Sequence, residues 1–176
     1  MADGFTICRA VPEDLDEIVS IIETAVQHAV SADWFVPDDR KFLERHLEQS
    51  GFILVAKSAA ARIAAYLLVR FPGADDDNLG RELTPGGPVI PLDELAHVAH
   101  IESTAVCPDF YGNHLQSWLV QEAETYLKPL AYRHLMATVH PDNRYSLNSM
   151  LRQGYRIVST TQKYGGLRRH ILYKEL

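Results

Sequence analysis

Val106-Cys107-Pro108-Asp109-Phe110-Tyr111-Gly112-Asn113-His114-Leu115 is the stretch on which the reading of this chain turns. The residues before it, from His97 to Val106, have an extended pattern, and Pro108 ends that strand. After it Leu115, Trp118, Leu119, Glu122, Ala123 and Tyr126 recur on one helical face until Pro129 marks the helix's end. A strand therefore hands over to a helix here. The first turn of a helix leaves backbone N–H groups without acceptors and carries partial positive charge, so phosphate binds there without lysine or arginine. Gly112 lets the backbone approach such a group closely, and the short turn makes a concave nest. Neither Gly-x-x-x-x-Gly-Lys-Ser/Thr nor Gly-x-Gly-x-x-Gly occurs, so this is neither a P-loop nor a dinucleotide fingerprint.

Working outward, Phe5 to Ala10 reads as a first strand, and Pro12-Glu13-Asp14 starts a helix with Leu15, Ile18, Ile22 and Ala25 on its apolar stripe. A second helix begins at Pro37-Asp38-Asp39, buries Phe42, Leu43, His46 and Leu47, and stops at Gly51. Phe52 to Ala56 and Ile63 to Phe71 are apolar runs of strand length, read as an antiparallel hairpin although Ser58-Ala59-Ala60-Ala61 lacks the Gly or Asn of a strong turn signal. Pro72 to Ala96, with the acidic run Asp75-Asp76-Asp77, reads as a long loop of the kind that is functional or disordered. Leu135 to Val139 is a further strand. Asn143 to Gln153 is a short helix with Leu147, Met150 and Leu151 inward and Gly154 as its stop. Tyr155 to Thr161 and Leu167 to Tyr173 close the chain as two strands around Gly165-Gly166. Hairpins in the first half and a strand-helix-strand crossover in the second predict an α/β (α+β) fold, with a mixed sheet covered by helices on both faces.

The chain's 176 residues suit one domain with a full core, taken as residues 1–176. A net charge of −6, with 47% hydrophobic and 23% charged residues, is ordinary for a soluble globular protein and disfavours nucleic acid as a partner. Cys8 and Cys107 are the only cysteines and form neither a disulfide framework nor a zinc knuckle, so a reducing cytoplasm is expected. Met1 to Phe5 shows no leader pattern, and no apolar run approaches the ~20 residues needed to cross a membrane.

The run from Ile101 to Gln116 resembles the acetyl-coenzyme A motif of the GNAT N-acetyltransferase superfamily, whose shape is Val-x-Pro-x-x-Arg-Gly-x-Gly around a Gln/Arg-x-x-Gly-x-Gly/Ala core. Arg9 to Leu15 resembles that superfamily's opening strand and helix. Val139-His140-Pro141-Asp142-Asn143, then Ser146 and Gly154-Tyr155, resembles its Asn-led helix ending in Gly-Phe. Together these cover nearly the whole chain in order. Asp109 stands where the core motif has Gln or Arg, His114 where it has Gly or Ala, and Met150 where many members carry a Tyr proposed as general acid.

The resemblance implies a single GNAT-like domain: a mostly antiparallel sheet of about seven strands whose fourth and fifth strands splay apart around the pantetheine arm of acetyl-CoA. Thr104, Ala105 and Val106 would then line the arm. Tyr111, Gly112, Asn113, His114 and Leu115 would supply pyrophosphate amides, and Asn143, with Ser146 on the same helix, would meet the pantetheine from the other side. A backbone N–H near Val106 would polarise the thioester carbonyl, and a primary amine of a small molecule or protein would attack directly. Glu102 is the expected base, directly or through a water, or else pairs with a cation on a neighbouring strand, and His100 is the second candidate; strand alternation places His100, Glu102 and Thr104 on one face. Tyr145 and Tyr111 are candidate proton donors or else packing or cofactor-contacting residues, and a thiol's reference pKa near ~8.5 lets the thiolate leave without a dedicated acid.

Trp34 and Phe35 line the acceptor pocket or cap the core. His97, His100 and Glu102 do not make a metal site, because His97 faces away from the other two on a strand. Cys107 is read as a buried thiol rather than a nucleophile, and Arg168-Arg169-His170 is too small a basic cluster for nucleic acid. The acidic run 75–77 is a solvated loop or steers a cationic amine. The two terminal strands leave a homodimer open. Alternatives to the N-acetyltransferase are a silent acetyl-CoA sensor and an acyltransferase using another acyl-CoA.

Overall fold

The computed structural model describes residues 4–176, so part of the Met1–Phe5 stretch read above lies outside the described residues. One seven-stranded sheet organises the chain, in the order β1-β2-β3-β6-β7-β9-β8. Its strands are β1 (Phe5–Arg9), β2 (Gly51–Ser58), β3 (Ile63–Arg70), β6 (Val98–Val106), β7 (His134–Val139), β8 (Arg156–Lys163) and β9 (Leu167–Glu175). A two-stranded hairpin, β4 (Leu83–Thr84) with β5 (Gly87–Pro88), stands apart. Neighbours in the large sheet are antiparallel except β6 and β7, which run parallel. The four α-helices among the described residues are α1 (Leu15–His28), α2 (Arg40–His46), α3 (Leu115–Leu127) and α4 (Arg144–Arg152).

Every residue of β3 is buried, as expected of a central strand covered on both faces. Leu67 and Val69 pack with Leu115, Leu119 and Ala123 of α3 and Met150 of α4. Tyr66 and Leu68 pack on the other side with Ile18, Ile22 and Leu43 of α1 and α2. Leu151, expected inward, is 38% exposed; a nine-residue helix buries only the narrow stripe through Met150.

The β2–β3 turn forms without glycine because Ala61 takes the left-handed conformation, φ 61°. Gly51 opens β2 rather than stopping a helix: a Cβ there would lie 2.0 Å from the carbonyl oxygen of Val69. Glycine is required for close strand approach, while α2 has already ended at His46.

The 72–96 segment is ordered, with two 3-10 turns (Leu79–Arg81 and Leu92–His97) flanking the β4–β5 hairpin. Leu79, Ile90 and Leu95 bury against Met136, Ile171 and Tyr173, covering the β7–β9 half of the sheet on the α1/α2 side. The acidic run is not simply solvated. Buried Arg70 holds Asp75 at 2.9 Å and Asp77 at 2.6 Å, and this guanidinium keeps the Asp77 carboxyl below the usual range. Of the two terminal strands, β9 is internal and only β8 lies at the sheet's edge. No helix of the described residues is long and apolar enough to cross a membrane.

Candidate active site

Strands β6 and β7 pair only from Val98↔His134 to Ile101↔Ala137. Beyond that β6 continues along β3 to Val106, and β7 continues along β9 to Val139, so the two strands part and leave a cleft in the middle of the sheet. Cys107 donates its N–H to Ala64 O at 2.8 Å. Backbone groups alternate along a strand, so Val106 and Thr104 turn their N–H and C=O toward the open cleft, whereas those of Ala105 turn toward β3. The expected run of three pantetheine-pairing residues thus reduces to two by backbone. The Ala105 side chain belongs to the core under α1.

At the end of β6, a 3-10 turn (Pro108–Phe110) leads to α3. Tyr111 spends its N–H on Pro108 O at 3.2 Å, but among the described residues no acceptor meets the N–H of Gly112, Asn113, His114, Leu115, Gln116 or Ser117. These amides open at the mouth of the cleft, at the positive end of the α3 dipole. His114 is the N-cap residue, with φ 56°, a conformation that glycine adopts without strain and that His tolerates better than most side chains. Its presence where the family motif has Gly or Ala is therefore a cost in backbone energy rather than a change of shape. Asp109, the other departure, is exposed and lies 3.4 Å from Arg62 across the β2–β3 turn.

Asn143 caps α4, its Oδ1 accepting the Ser146 N–H at 3.2 Å, so only its amide N–H₂ is left to meet a ligand. Ser146 in turn accepts from Gln116 Nε2 at 3.1 Å, and Ser117 meets Ser149 at 2.9 Å, stitching α4 to the first turn of α3.

On β6, strand alternation fails at one residue. Leu68 pairs with Ser103 but Val69 with Ile101, so Glu102 is an extra residue in a β-bulge. His100, Glu102 and Thr104 therefore do not share a face: Thr104 turns to the α3 side with Leu67, its hydroxyl donating to Tyr66 O at 2.8 Å. Ser103 joins His100 on the α1/α2 side, and the bulge aims Glu102 there too. Glu102 Oε2 lies 3.3 Å from His100 Nδ1 and 3.8 Å from Arg70 Nη1. His100 Nε2 accepts the Leu79 N–H at 3.0 Å. An imidazole nitrogen that accepts carries no proton, so Nδ1 holds it and donates to Glu102. That arrangement makes His100 a partner of Glu102 rather than a free base.

Asp38, read from the sequence only as part of a helix start, completes this wall. Its neighbour Asp39 caps α2, accepting the Phe42 N–H at 2.8 Å, which leaves Asp38 free for other work. The Ser103 hydroxyl donates to Asp38 and accepts from the Tyr66 hydroxyl at 3.2 Å. Burial pushes the Asp38 carboxyl up to about 6, the Ser103 bond opposes the rise, and the Glu102 charge adds to it. The signal was present in Pro37-Asp38-Asp39: two consecutive acids, of which one suffices to cap.

The other candidates are dispersed. Tyr145 is 86% exposed on α4 and Tyr111 is 60% exposed; neither joins Glu102. Phe35 packs into the α1/α2 core, while Trp34 stacks on His140 with ring centroids 6.2 Å apart, placing it over the β7 end. His97 is not on β6 but ends a 3-10 turn, with Nδ1 3.1 Å from Ala131 O. Among the described residues no group of three His, Cys, Asp or Glu is placed to hold a metal.

A sequence profile of the acetyltransferase (GNAT) family matches residues 16–155. No curated protein sequence matches the chain at a significant level. Solved structures do match in fold. The ribosomal-protein-S18-alanine N-acetyltransferase of Escherichia coli is 16% identical over 97% of this chain and 93% of its own, with a TM-score of 0.70. A ribosomal-protein-alanine N-acetyltransferase from Brucella melitensis is 21% identical over 97% and 99%, TM-score 0.70. A phosphinothricin acetyltransferase from Sinorhizobium meliloti, solved in complex with AcCoA, is 16% identical over 98% and 89%, TM-score 0.72.

Proposed function

Because the chain belongs to the acetyltransferase (GNAT) family, we propose that it transfers an acetyl group from acetyl-CoA to a primary amine by direct attack. One observation carries this reading: a cleft between parted strands, with unpaired amides from Gly112 to Ser117 on one side of the sheet and the Glu102–Asp38 carboxylates on the other. The amides receive the pyrophosphate, and the backbone of Thr104 and Val106 pairs with the pantetheine arm. The Asn143 amide meets that arm from α4. The complex of the similar Sinorhizobium meliloti enzyme with AcCoA supports this choice of donor.

The thioester then lies in the cleft with its carbonyl oxygen toward the Val106 N–H, which stabilises the oxyanion as the tetrahedral intermediate forms. The amine arrives as an ammonium on the carboxylate side. Glu102 takes its proton, directly or through a water, while Asp38, bonded to Ser103 and close to half-protonated near pH 6, has its own proton held by burial and by the Glu102 charge. The lone pair attacks the carbonyl carbon, the C–S bond breaks, and the thiolate departs without a dedicated acid. Release of free coenzyme A from acetyl-CoA across an amine panel tests the reading. Tight acetyl-CoA binding with no release for any amine would leave a sensor, and faster release from a longer acyl-CoA would move the donor assignment.

A further inference from the structure

Two arginines are buried among the described residues, Arg70 and Arg169. Arg70 is surrounded by the carboxylates of Asp75, Asp77 and Glu102. Arg169 has none. Its guanidinium is in a residue only 2% exposed, and its hydrogen bonds run to backbone carbonyls, Arg168 O at 2.9 Å and Asp33 O at 2.6 Å. No carboxylate of the described residues lies within ion-pair distance, and two of the five N–H donors are used.

Its position gives the missing partner a direction. Along β9, Leu172 faces α3, while Ile171 and Tyr173 face the other way, with Met136. Arg169 shares their parity and so points to the face that carries Glu102 and Asp38, next to the free end of β7, where Val139 pairs with His170. Tyr164 lies between β9 and β7. Its ring lies 5.5 Å from the Arg169 guanidinium and its hydroxyl 3.0 Å from Thr138 of β7. Burial and then the Glu102 charge raise that hydroxyl's pKa, with Asp38 contributing, so both carboxylates act on the same group as Arg169 does. Tyr164 is 48% exposed and is held at φ 52° beside two glycines, a strained setting for a side chain that contacts both Arg169 and Thr138.

We propose that the acceptor is an amine that also carries a carboxylate, and that Arg169, with Tyr164, binds that carboxylate while Glu102 and Asp38 receive the amine. The two walls then match a dipolar acceptor, negative wall to ammonium and positive wall to carboxylate. Arg169 also holds the α1–α2 loop through Asp33 O, but a neutral donor would do that without burying a permanent charge. The assignment deepens the N-acetyltransferase reading and rests on it.

The test compares an amino acid, its carboxamide and its decarboxylated amine as acceptors, read by coenzyme A release. The acid is expected to exceed the other two in kcat/KM by about 10- to 100-fold, the range of a hydrogen bond between charged groups. In Arg169→Gln that ratio collapses toward one, through KM, and Arg169→Lys keeps part of it. The acid-to-amide ratio in the unaltered enzyme needs no variant to fold. Equal or better use of the amide, the plain amine or a peptide N-terminus overturns the proposal and leaves acetyl transfer standing. Calorimetry of the same three compounds on the coenzyme A complex separates the two ideas further. Carboxylate-dependent binding without turnover sustains the Arg169 assignment while removing the transfer reading, and binding indifferent to the carboxylate overturns the assignment.

Discussion

The backbone N–H of Leu79 donates to Nε2 of His100 at 3.0 Å, and this bond sets the tautomer that presents Nδ1–H to Glu102. A residue in the middle of the 72–96 segment thereby orients the carboxylate expected to take the substrate's proton. Glu102→Gln is expected to lower kcat by about 10²- to 10³-fold with little change in acetyl-CoA affinity. His100→Asn keeps a donor near the Nδ1 position and should retain more activity than His100→Leu. The two His100 variants should differ in kcat and in the pH profile rather than in KM for acetyl-CoA; equal loss in both would deny His100 its positioning role.

Asp38 makes a pH prediction with a definite sign. Its folded pKa of about 6 lies above the ordinary 3.8, so the folded state binds the proton more tightly than the unfolded chain does. The carboxyl therefore favours folding least above pH 6, where it must ionise while buried, and this penalty vanishes below about pH 4. Relative to the unaltered protein, Asp38→Asn should gain about 2–3 kcal/mol in unfolding free energy between pH 4 and pH 7. Urea unfolding at the two pH values measures it. In kcat/KM, an acid limb near pH 6 is expected in the unaltered enzyme and should weaken in Asp38→Asn.

His114 occupies a left-handed N-cap position at φ 56° without a capping hydrogen bond from its side chain. Glycine takes this conformation freely, so His114→Gly should stabilise the fold by up to about 1 kcal/mol, and His114→Val should destabilise it by more. Acetyl-CoA affinity should hold or improve in the glycine variant, because the amides that follow keep their directions. Thermal unfolding and calorimetric titration of acetyl-CoA check the two halves separately.

Gly51 meets the neighbouring strand too closely for any side chain, with 2.0 Å between an added Cβ and Val69 O. Gly51→Ala must push β2 from β3 or twist the strand start, and a cost of about 3 kcal/mol is expected from overpacking against rigid backbone. Loss of soluble protein or a Tm lowered by several degrees would agree; an unchanged Tm would not. The left-handed Ala61 in the opposite turn makes a contrasting control, where Ala61→Gly should stabilise.

The sequence by itself determined the order of elements, because hydrophobic period, proline and glycine are local properties. It also located the strand-to-helix turn at Val106–Leu115, where the consequences of a free helix end follow from the chain alone. Tertiary structure decided everything that depends on register. A single bulge at Glu102 reverses the faces of Ser103 and Thr104, and no pattern of alternation in one strand reveals which residue its neighbour will leave unpaired. Folding likewise turned Asp75 and Asp77 from a solvated run into the partners of Arg70, five and seven residues before them, brought Asp38 to Ser103, and left Arg169 buried with its hydrogen bonds to backbone carbonyls. A charge announces itself in sequence, but whether it is satisfied depends on groups far along the chain. That is why the free helix end at the mouth of the cleft was legible in advance, whereas the grouping of Asp38, Ser103 and Glu102 and the burial of Arg169 emerged only with the fold.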